Sequence, residues 1–189
     1  MKSCTLVCTL LATICLFAGS AFAETKDASQ LTPAELQALF ESQRTRGLVI
    51  APANNADGQV NPDQTAIVPA DQYAKVDADL QVNVRISFDF DSAALKVSEK
   101  GKLTSLCHAV KSSDIPVFRI VGHTDASGSA SYNQNLSLLR AEEVKRYMVA
   151  ECGIPEAKLL AVGVGEDYPV DAADPRADAN RRVEFQVAS

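Results

Sequence analysis

Two oppositely charged side chains in residues 122–140 (GHTDASGSASYNQNLSLLR) have the types and spacing of a binding site. Asp125 lies on a polar turn after an apolar run, and Arg140 lies beside the apolar stripe of the amphipathic segment that follows. If the segment is a helix folded back over the turn, the two charges converge. A carboxylate accepts hydrogen bonds from an ammonium group, and a guanidinium fork fits a carboxylate. The pattern predicts either a site for a ligand with both groups or an internal Asp125–Arg140 ion pair without a ligand.

His123 raises the alternatives of a metal site or a hydrolase. Zinc sites use three or four clustered ligands, whereas the only other histidine is His108. No serine has the glycine-flanked spacing of a nucleophile turn. We therefore expect neither a metal nor a cofactor, and His123 is interpreted as a turn residue. Gly163-x-Gly165 lacks the third glycine of a nucleotide fingerprint, and a structural role is favoured for Arg181 and Arg182.

The N-terminus has the pattern of a secretory signal peptide, with Lys2, an apolar stretch over residues 6–18 and Ala-Phe-Ala at 21–23. The apolar stretch is shorter than the roughly 20 residues of a membrane-spanning helix, so cleavage after Ala23 is predicted, with no stable transmembrane segment afterwards. Cleavage removes Lys2 and no acidic residue, so the net charge changes from −6 to −7. An acidic exported chain is a poor candidate for binding nucleic acid.

Cys107 and Cys152 are the two cysteines outside the signal peptide. An even pair in an oxidising compartment favours a disulfide, but both can equally be small buried core residues. The sequence leaves these alternatives open.

The elements of the remaining chain are predicted from hydrophobic periodicity. Alternating residues indicate strands over 80–88 and 183–187, and short apolar runs indicate strands over 117–121 and 159–164. Helical stripes indicate helices over 98–111 and 131–151, the second with Leu136, Leu139, Val144, Tyr147 and Met148 on one side and Gly153 at its end. This order predicts an α/β fold, a two-layer βαβαββ sandwich with a mixed sheet and helices packed on one face.

The region before the predicted domain combines a loose polar start with one helix. Thr32-Pro33-Ala34-Glu35 has the spacing of a capping box with proline at the first helical position, which predicts a helix over 33–43. A short strand over 48–51 and a flexible linker over 52–72 follow. The predicted organisation is therefore a signal peptide (1–23), an N-terminal extension (24–79) and a compact domain (80–189).

Residues 82–188 resemble the OmpA-like peptidoglycan-binding family. The matching elements are Phe88 to Leu95, Ile120 to Asp125, Gly128, Asn133, Leu136-Ser137, Arg140-Ala141, Val144, Gly163 to Glu166, Pro169 and Asn180 to Glu184. The resemblance implies non-covalent binding of the cell wall through meso-diaminopimelate, with Asp125 on the ammonium and Arg140 on the carboxylate. It also implies that six further residues contribute to the site, namely Asn133, Asp91, Ser92, Thr124, Leu136 and Arg182.

The resulting hypothesis is a non-enzymatic periplasmic protein that binds peptidoglycan and contributes to envelope integrity, with association to the outer membrane or the cell wall left open. One alternative is a peptidoglycan hydrolase that uses His123 and Asp125. The other is an envelope assembly factor whose N-terminal extension (24–79, here called the arm) is the active part and contacts other envelope proteins.

Overall fold

The computed structural model describes residues 27–46, 73–89 and 92–188. Four strands form the sheet: β1 (Val82–Val84), β2 (Val117–Gly122), β3 (Leu159–Gly163) and β4 (Val183–Ala188). Four α-helices accompany them: α1 (Pro33–Arg46), α2 (Val97–Lys100), α3 (Thr104–Ser112) and α4 (Ala130–Ala150). The predicted signal peptide, the strand over 48–51 and the linker over 52–72 lie outside the described residues.

The sheet is mixed, in the order β1-β4-β2-β3. β4 runs antiparallel to both β1 and β2, whereas β2 and β3 are parallel. Side chains of α1, α3 and α4 pack on one face of the sheet, against alternate strand residues such as Val82, Ile120 and Phe185. The predicted two-layer α/β fold is confirmed.

Two predicted elements differ from the structure. The helix expected over 98–111 is divided into α2, one 3-10 turn at Gly101–Leu103, and α3. The strand expected over 80–88 is only three residues long as β1, although Leu80 and Ile86 remain buried. Before the N-terminal end of β1 the buried side chain of Gln43 takes over the pairing with β4, since it donates to Phe185 O (3.3 Å) and accepts from Val187 N (2.9 Å).

The helix predicted over 33–43 forms as α1, and its capping box is present. Thr32 N donates to Glu35 Oε2 (2.8 Å), and Glu35 N donates to Thr32 Oγ1 (3.3 Å). Leu36 and Phe40 of α1 are fully buried in the main core, where the Phe40 ring meets Phe118 edge-on at 4.8 Å. The described part of the extension is therefore packed into the same core as the sheet, and the expected loose polar start is a 3-10 turn with buried Ala28.

Candidate functional site

Helix α4 approaches the ends of β2 and β3 without intervening side chains. A Cβ atom on Gly122 would lie 2.0 Å from Ser137 O, and one on Gly163 would lie 2.5 Å from Leu138 N. Ser137 also accepts a hydrogen bond from Gly165 N at 2.9 Å. Glycine at these strand ends is thus a packing requirement, and it brings the first half of α4 over the turn that follows β2.

The start of α4 is defined by local hydrogen bonds. Ser129 caps the helix by accepting from Tyr132 N at 3.3 Å. Gly128 has φ of 100°, a conformation that favours glycine. On the turn before it, Asp125 Oδ1 accepts from Ser127 N at 2.9 Å, which fixes the carboxylate.

The partner of Asp125 is Arg181, not Arg140. Arg181 Nη1 lies 2.5 Å from Asp125 Oδ2, and the other Nη of Arg181 contacts the Asp178 carboxylate. Although the burial of Asp125 alone would raise its pKa, hydrogen bonds from Arg181 and Ser127 lower the pKa below its ordinary value. The predicted internal Asp125–Arg140 ion pair is therefore wrong, and the structural role expected for Arg181 is that of holding this carboxylate.

Arg140 keeps its guanidinium available for an anion. Its Nε donates to Ser92 O at 3.3 Å, and its Cζ lies 4.7 Å from the centroid of the Phe88 ring. Over the described ranges no carboxylate lies within 4 Å of it. Burial lowers the pKa of Arg140, and the neighbouring side chains of Tyr132 and, to a smaller extent, Asp125 partly oppose this effect. The two groups are thus neighbours but not partners.

A cavity of about 140 Å³ lies beside these groups. Its walls come from the chain after β1, from α4 and from the turn before β4, and its lining residues are Arg85, Ile86, Ser87, Phe88, Arg140, Asp178 and Arg181. Three arginines and one aspartate give the cavity a positive balance in a chain whose net charge is −6. Such a cavity suits an anionic or zwitterionic ligand.

Two of the remaining predicted site residues lie close to Asp125 in space. Asn133 Nδ2 donates to Asp125 O (3.3 Å) and to Glu166 Oε2 (2.5 Å), so this side chain braces the turn. Thr124 is 5% exposed, and its backbone N donates to Gly165 O at 2.9 Å. Its buried Oγ1 finds no hydrogen-bond partner among the described residues.

The other predicted site residues do not all lie at the cavity. Ser92 meets Arg140 through its backbone oxygen, Leu136 is half-buried on α4, and Asp91 lies outside the described residues. Arg182 points elsewhere, into a buried polar cluster on the sheet face opposite the helices, where its Nε donates to Asn83 Oδ1 at 3.2 Å. The structure therefore separates Arg182 from the cavity that Arg140 and Arg181 line.

His123 belongs to the same buried cluster as Arg182. It is 2% exposed, its Nε2 lies 3.2 Å from Glu184 Oε2, and its ring meets Tyr73 edge-on at 5.9 Å. Burial lowers the pKa of His123 despite the hydrogen bond to Glu184, so the imidazole is neutral at pH 7. His123 is not among the residues that line the cavity.

Sequence reasoning missed the two residues that complete the charge pattern, Arg181 as the partner of Asp125 and Arg85 as a cavity wall. Asp125 and Arg181 are 56 residues apart, so no helical or strand spacing could connect them. The dipeptide Arg181-Arg182 before an alternating strand was a usable signal, because neighbouring residues of an extended chain point to opposite sides. One arginine therefore had to face each side of the sheet.

The described residues contain neither a metal-binding cluster nor a membrane-spanning helix. No group of three or more His, Cys, Asp or Glu side chains is arranged to hold a metal ion there. Across those same ranges, no helix combines the length and the apolar character that crossing a membrane would require.

Comparisons with known proteins show the family of this chain. The OmpA family model matches residues 87–182, so this chain belongs to the OmpA family. The outer-membrane lipoprotein YfiB of Pseudomonas aeruginosa is 29% identical over 84% of this chain and 94% of its own length. The outer membrane porin F of Pseudomonas fluorescens is 34% identical over 57% of this chain.

The chain spans only a third of that porin's length (33%). Among solved structures, the peptidoglycan-associated lipoprotein from Burkholderia pseudomallei is 31% identical, with a TM-score of 0.46 over 53% of this chain and 86% of that one.

Proposed function

We propose that this protein binds cell-wall peptidoglycan non-covalently through the diaminopimelate of the stem peptide and so contributes to the integrity of the bacterial envelope. The observation that carries the proposal is the position of Arg140. Its buried guanidinium lies near Asp125 without pairing to it or to another described carboxylate, and it lines an open cavity. Burying an uncompensated charge is costly, so an external anion that completes the site is the simplest reason to keep it.

The free end of diaminopimelate carries one ammonium and one carboxylate on the same carbon. In the proposed complex Arg140 binds the carboxylate through its fork of N–H donors, and Asp125 accepts from the ammonium. Asp125 stays ionised because the hydrogen bonds from Arg181 and Ser127 lower its pKa. Asn133 holds the turn that carries Asp125, and Ser92 orients Arg140.

An envelope location is supported by the outer-membrane relatives. The family resemblance supplies the identity of the ligand. Neither alternative function gains support from the geometry. The hydrolase hypothesis needs an accessible His123, whose ring is buried and bonded to Glu184. The assembly-factor hypothesis needs a free arm, whereas the α1 part of the arm fills the core.

Co-sedimentation with purified sacculi tests the proposal. Asp125→Ala and Arg140→Ala should each lose about 2–5 kcal/mol of binding free energy, as expected when one partner of a desolvated charge contact is removed. Asp79→Ala and Arg44→Ala are matched controls, because both side chains are exposed in ion pairs on or beside α1. If folded Asp125→Ala and Arg140→Ala proteins sediment like the controls, the site assignment is wrong.

The specificity for diaminopimelate is tested with sacculi that carry lysine at the same position. Lysine keeps the terminal ammonium but lacks the carboxylate beside it, so the wild type should bind these sacculi about as weakly as Arg140→Ala binds the diaminopimelate type. Arg140→Ala should then discriminate little between the two. Equal binding of both sacculi by the wild type would contradict the diaminopimelate assignment.

A further inference from the structure

We propose that Arg85 forms a second carboxylate subsite beside the diaminopimelate site, so that the protein prefers stem peptides with a further free carboxylate. The inference rests on the proposed function and extends it, because it concerns a part of the ligand beyond the zwitterionic end. Arg85 lies directly after β1 and shares the 140 Å³ cavity with Arg140 and Arg181.

The charges of the cavity identify Arg85 as the residue without a counter-charge. Arg181 contacts two carboxylates, Asp125 and Asp178. In the proposed complex Arg140 takes the carboxylate of the zwitterionic end. Arg85 then remains, and within the described parts of the chain no carboxylate lies within 4 Å of its guanidinium.

The backbone of Arg85 is held in place from two sides. Its N–H donates to Asp27 Oδ2 at 3.3 Å, and its carbonyl oxygen accepts from Lys102 Nζ at 2.8 Å. Two residues later, Ser87 N donates to Glu99 Oε2 at 2.9 Å. This wall of the cavity is thus fixed before any ligand arrives, which lowers the ordering cost of binding. The side chain of Arg85 itself is exposed and can reach an incoming anion.

A stem peptide offers two carboxylates in addition to the one assigned to Arg140. One is the α-carboxylate of the γ-linked glutamate, and the other is the carboxylate at the peptide-bond end of diaminopimelate when that residue is terminal. Both present the same chemistry to a guanidinium. The inference therefore concerns a second carboxylate, and its source is determined by the experiment.

The test compares three synthetic tripeptides, L-Ala-γ-D-Glu-meso-diaminopimelate and its two monoamides at the carboxylates just named, by calorimetry with the full chain. The wild type should bind one monoamide about fivefold more weakly than the free acid, which is the size of an accessible charge pair. Arg85→Gln should remove this preference and Arg85→Lys should retain most of it. The preference of the wild type should shrink at high salt, because exposed charges are screened. Arg44→Gln, which removes an exposed arginine of α1, should behave as the wild type.

The outcomes separate this inference from the proposed function. The monoamide that loses affinity identifies the carboxylate. If the wild type binds all three peptides alike, or if folded Arg85→Gln keeps the preference, the second subsite is refuted while diaminopimelate binding stands. If no peptide binds and Asp125→Ala leaves sedimentation with sacculi intact, both proposals fail.

Discussion

Asp125 is the residue whose environment differs most from its prediction. The expected neighbour was Arg140, fifteen residues along the chain, but the hydrogen bonds come from Arg181 and Ser127. This exchange leaves the guanidinium of Arg140 without a carboxylate partner among the described residues and keeps Asp125 ionised at lower pH. In the proposed site, Arg181 therefore holds the Asp125 carboxylate and Arg140 binds the ligand.

His123 differs from Asp125, because its titratable ring is buried in a structural cluster and does not line the cavity. Its ring is enclosed by Tyr73, Glu184 and Arg182 on the sheet face away from the helices. Burial and the positive charge of Arg182 lower its pKa below the ordinary value of 6.5, and the hydrogen bond to Glu184 offsets this only in part. The unfolded chain therefore binds a proton at a higher pH than the folded chain does.

This difference predicts a pH-dependent stability. The contribution of neutral His123 is fully present above pH 6.5 and is lost as the pH falls below it towards the folded pKa, with a slope of at most about 1.4 kcal/mol per pH unit. His123→Gln should remove this component from urea unfolding measured between pH 7.5 and 5. The control His108→Gln removes an exposed imidazole and should keep the wild-type slope. An unchanged slope in His123→Gln would contradict the assignment.

At the scale of elements, the site depends on how closely α4 crosses the ends of β2 and β3. Gly122 and Gly163 lack the side chains that would keep the helix away.

The sequence predicted α4 within one residue at each end, because its apolar spacing and Gly153 are strong local signals. It placed Leu139 in the core, whereas this side chain is 52% exposed and the buried face includes Asn133, Ser137 and Arg140. Hydropathy cannot identify a helix face buried for its polar contacts.

Gly122→Ala tests this crossing. The added methyl group would meet the backbone of Ser137 at 2.0 Å, so helix or strand must shift, and we expect a loss of about 1–3 kcal/mol or more in the free energy of unfolding. Gly101→Ala is the matched control, since nothing lies within 4 Å of its Cβ position and its φ is −58°. The control should stay within about 1 kcal/mol of the wild type. Urea denaturation of both variants measures the difference, and equal stability would show that α4 is not in close contact there.

The N-terminal end of β1 has a physical reason that no local pattern contains. Residues 80–88 alternate as a long strand would, but Gln43 of α1 bonds to β4 at Phe185 and Val187, on the side where Leu80 and Gln81 would otherwise pair. A glutamine 142 residues away in the chain thus replaces strand pairing with side-chain bonds. A contact at such a separation decides where β1 begins, which is why the sequence predicted the strand but not this end of it.

At the scale of the whole molecule, the folded unit includes residues 27–46. Helix α1 packs on α3 and the sheet, with Leu36 and Phe40 fully buried. Deletion of residues 24–72 would therefore remove part of the core together with the arm. Any test of the arm as a partner-binding segment has to retain α1.

Phe40→Ala measures how much α1 contributes to the domain. Removal of a buried phenylalanine that contacts Phe118 should lower the free energy of unfolding by about 3–5 kcal/mol. Arg44→Ala on the exposed side of the same helix should change it by less than about 1 kcal/mol. Guanidinium denaturation followed by circular dichroism gives both values. A small effect of Phe40→Ala would show that α1 is not part of the cooperative unit.

The structure joins Cys107 of α3 to Cys152 just after α4, with a Cα–Cα distance of 5.8 Å. The closed loop contains β2, the turn with Asp125 and all of α4 with Arg140. A protease that cut the exposed stretch 127–132 would therefore divide the polypeptide without releasing either fragment. Both halves of the proposed ligand site would remain on one covalently connected molecule for as long as the bridge stays oxidised.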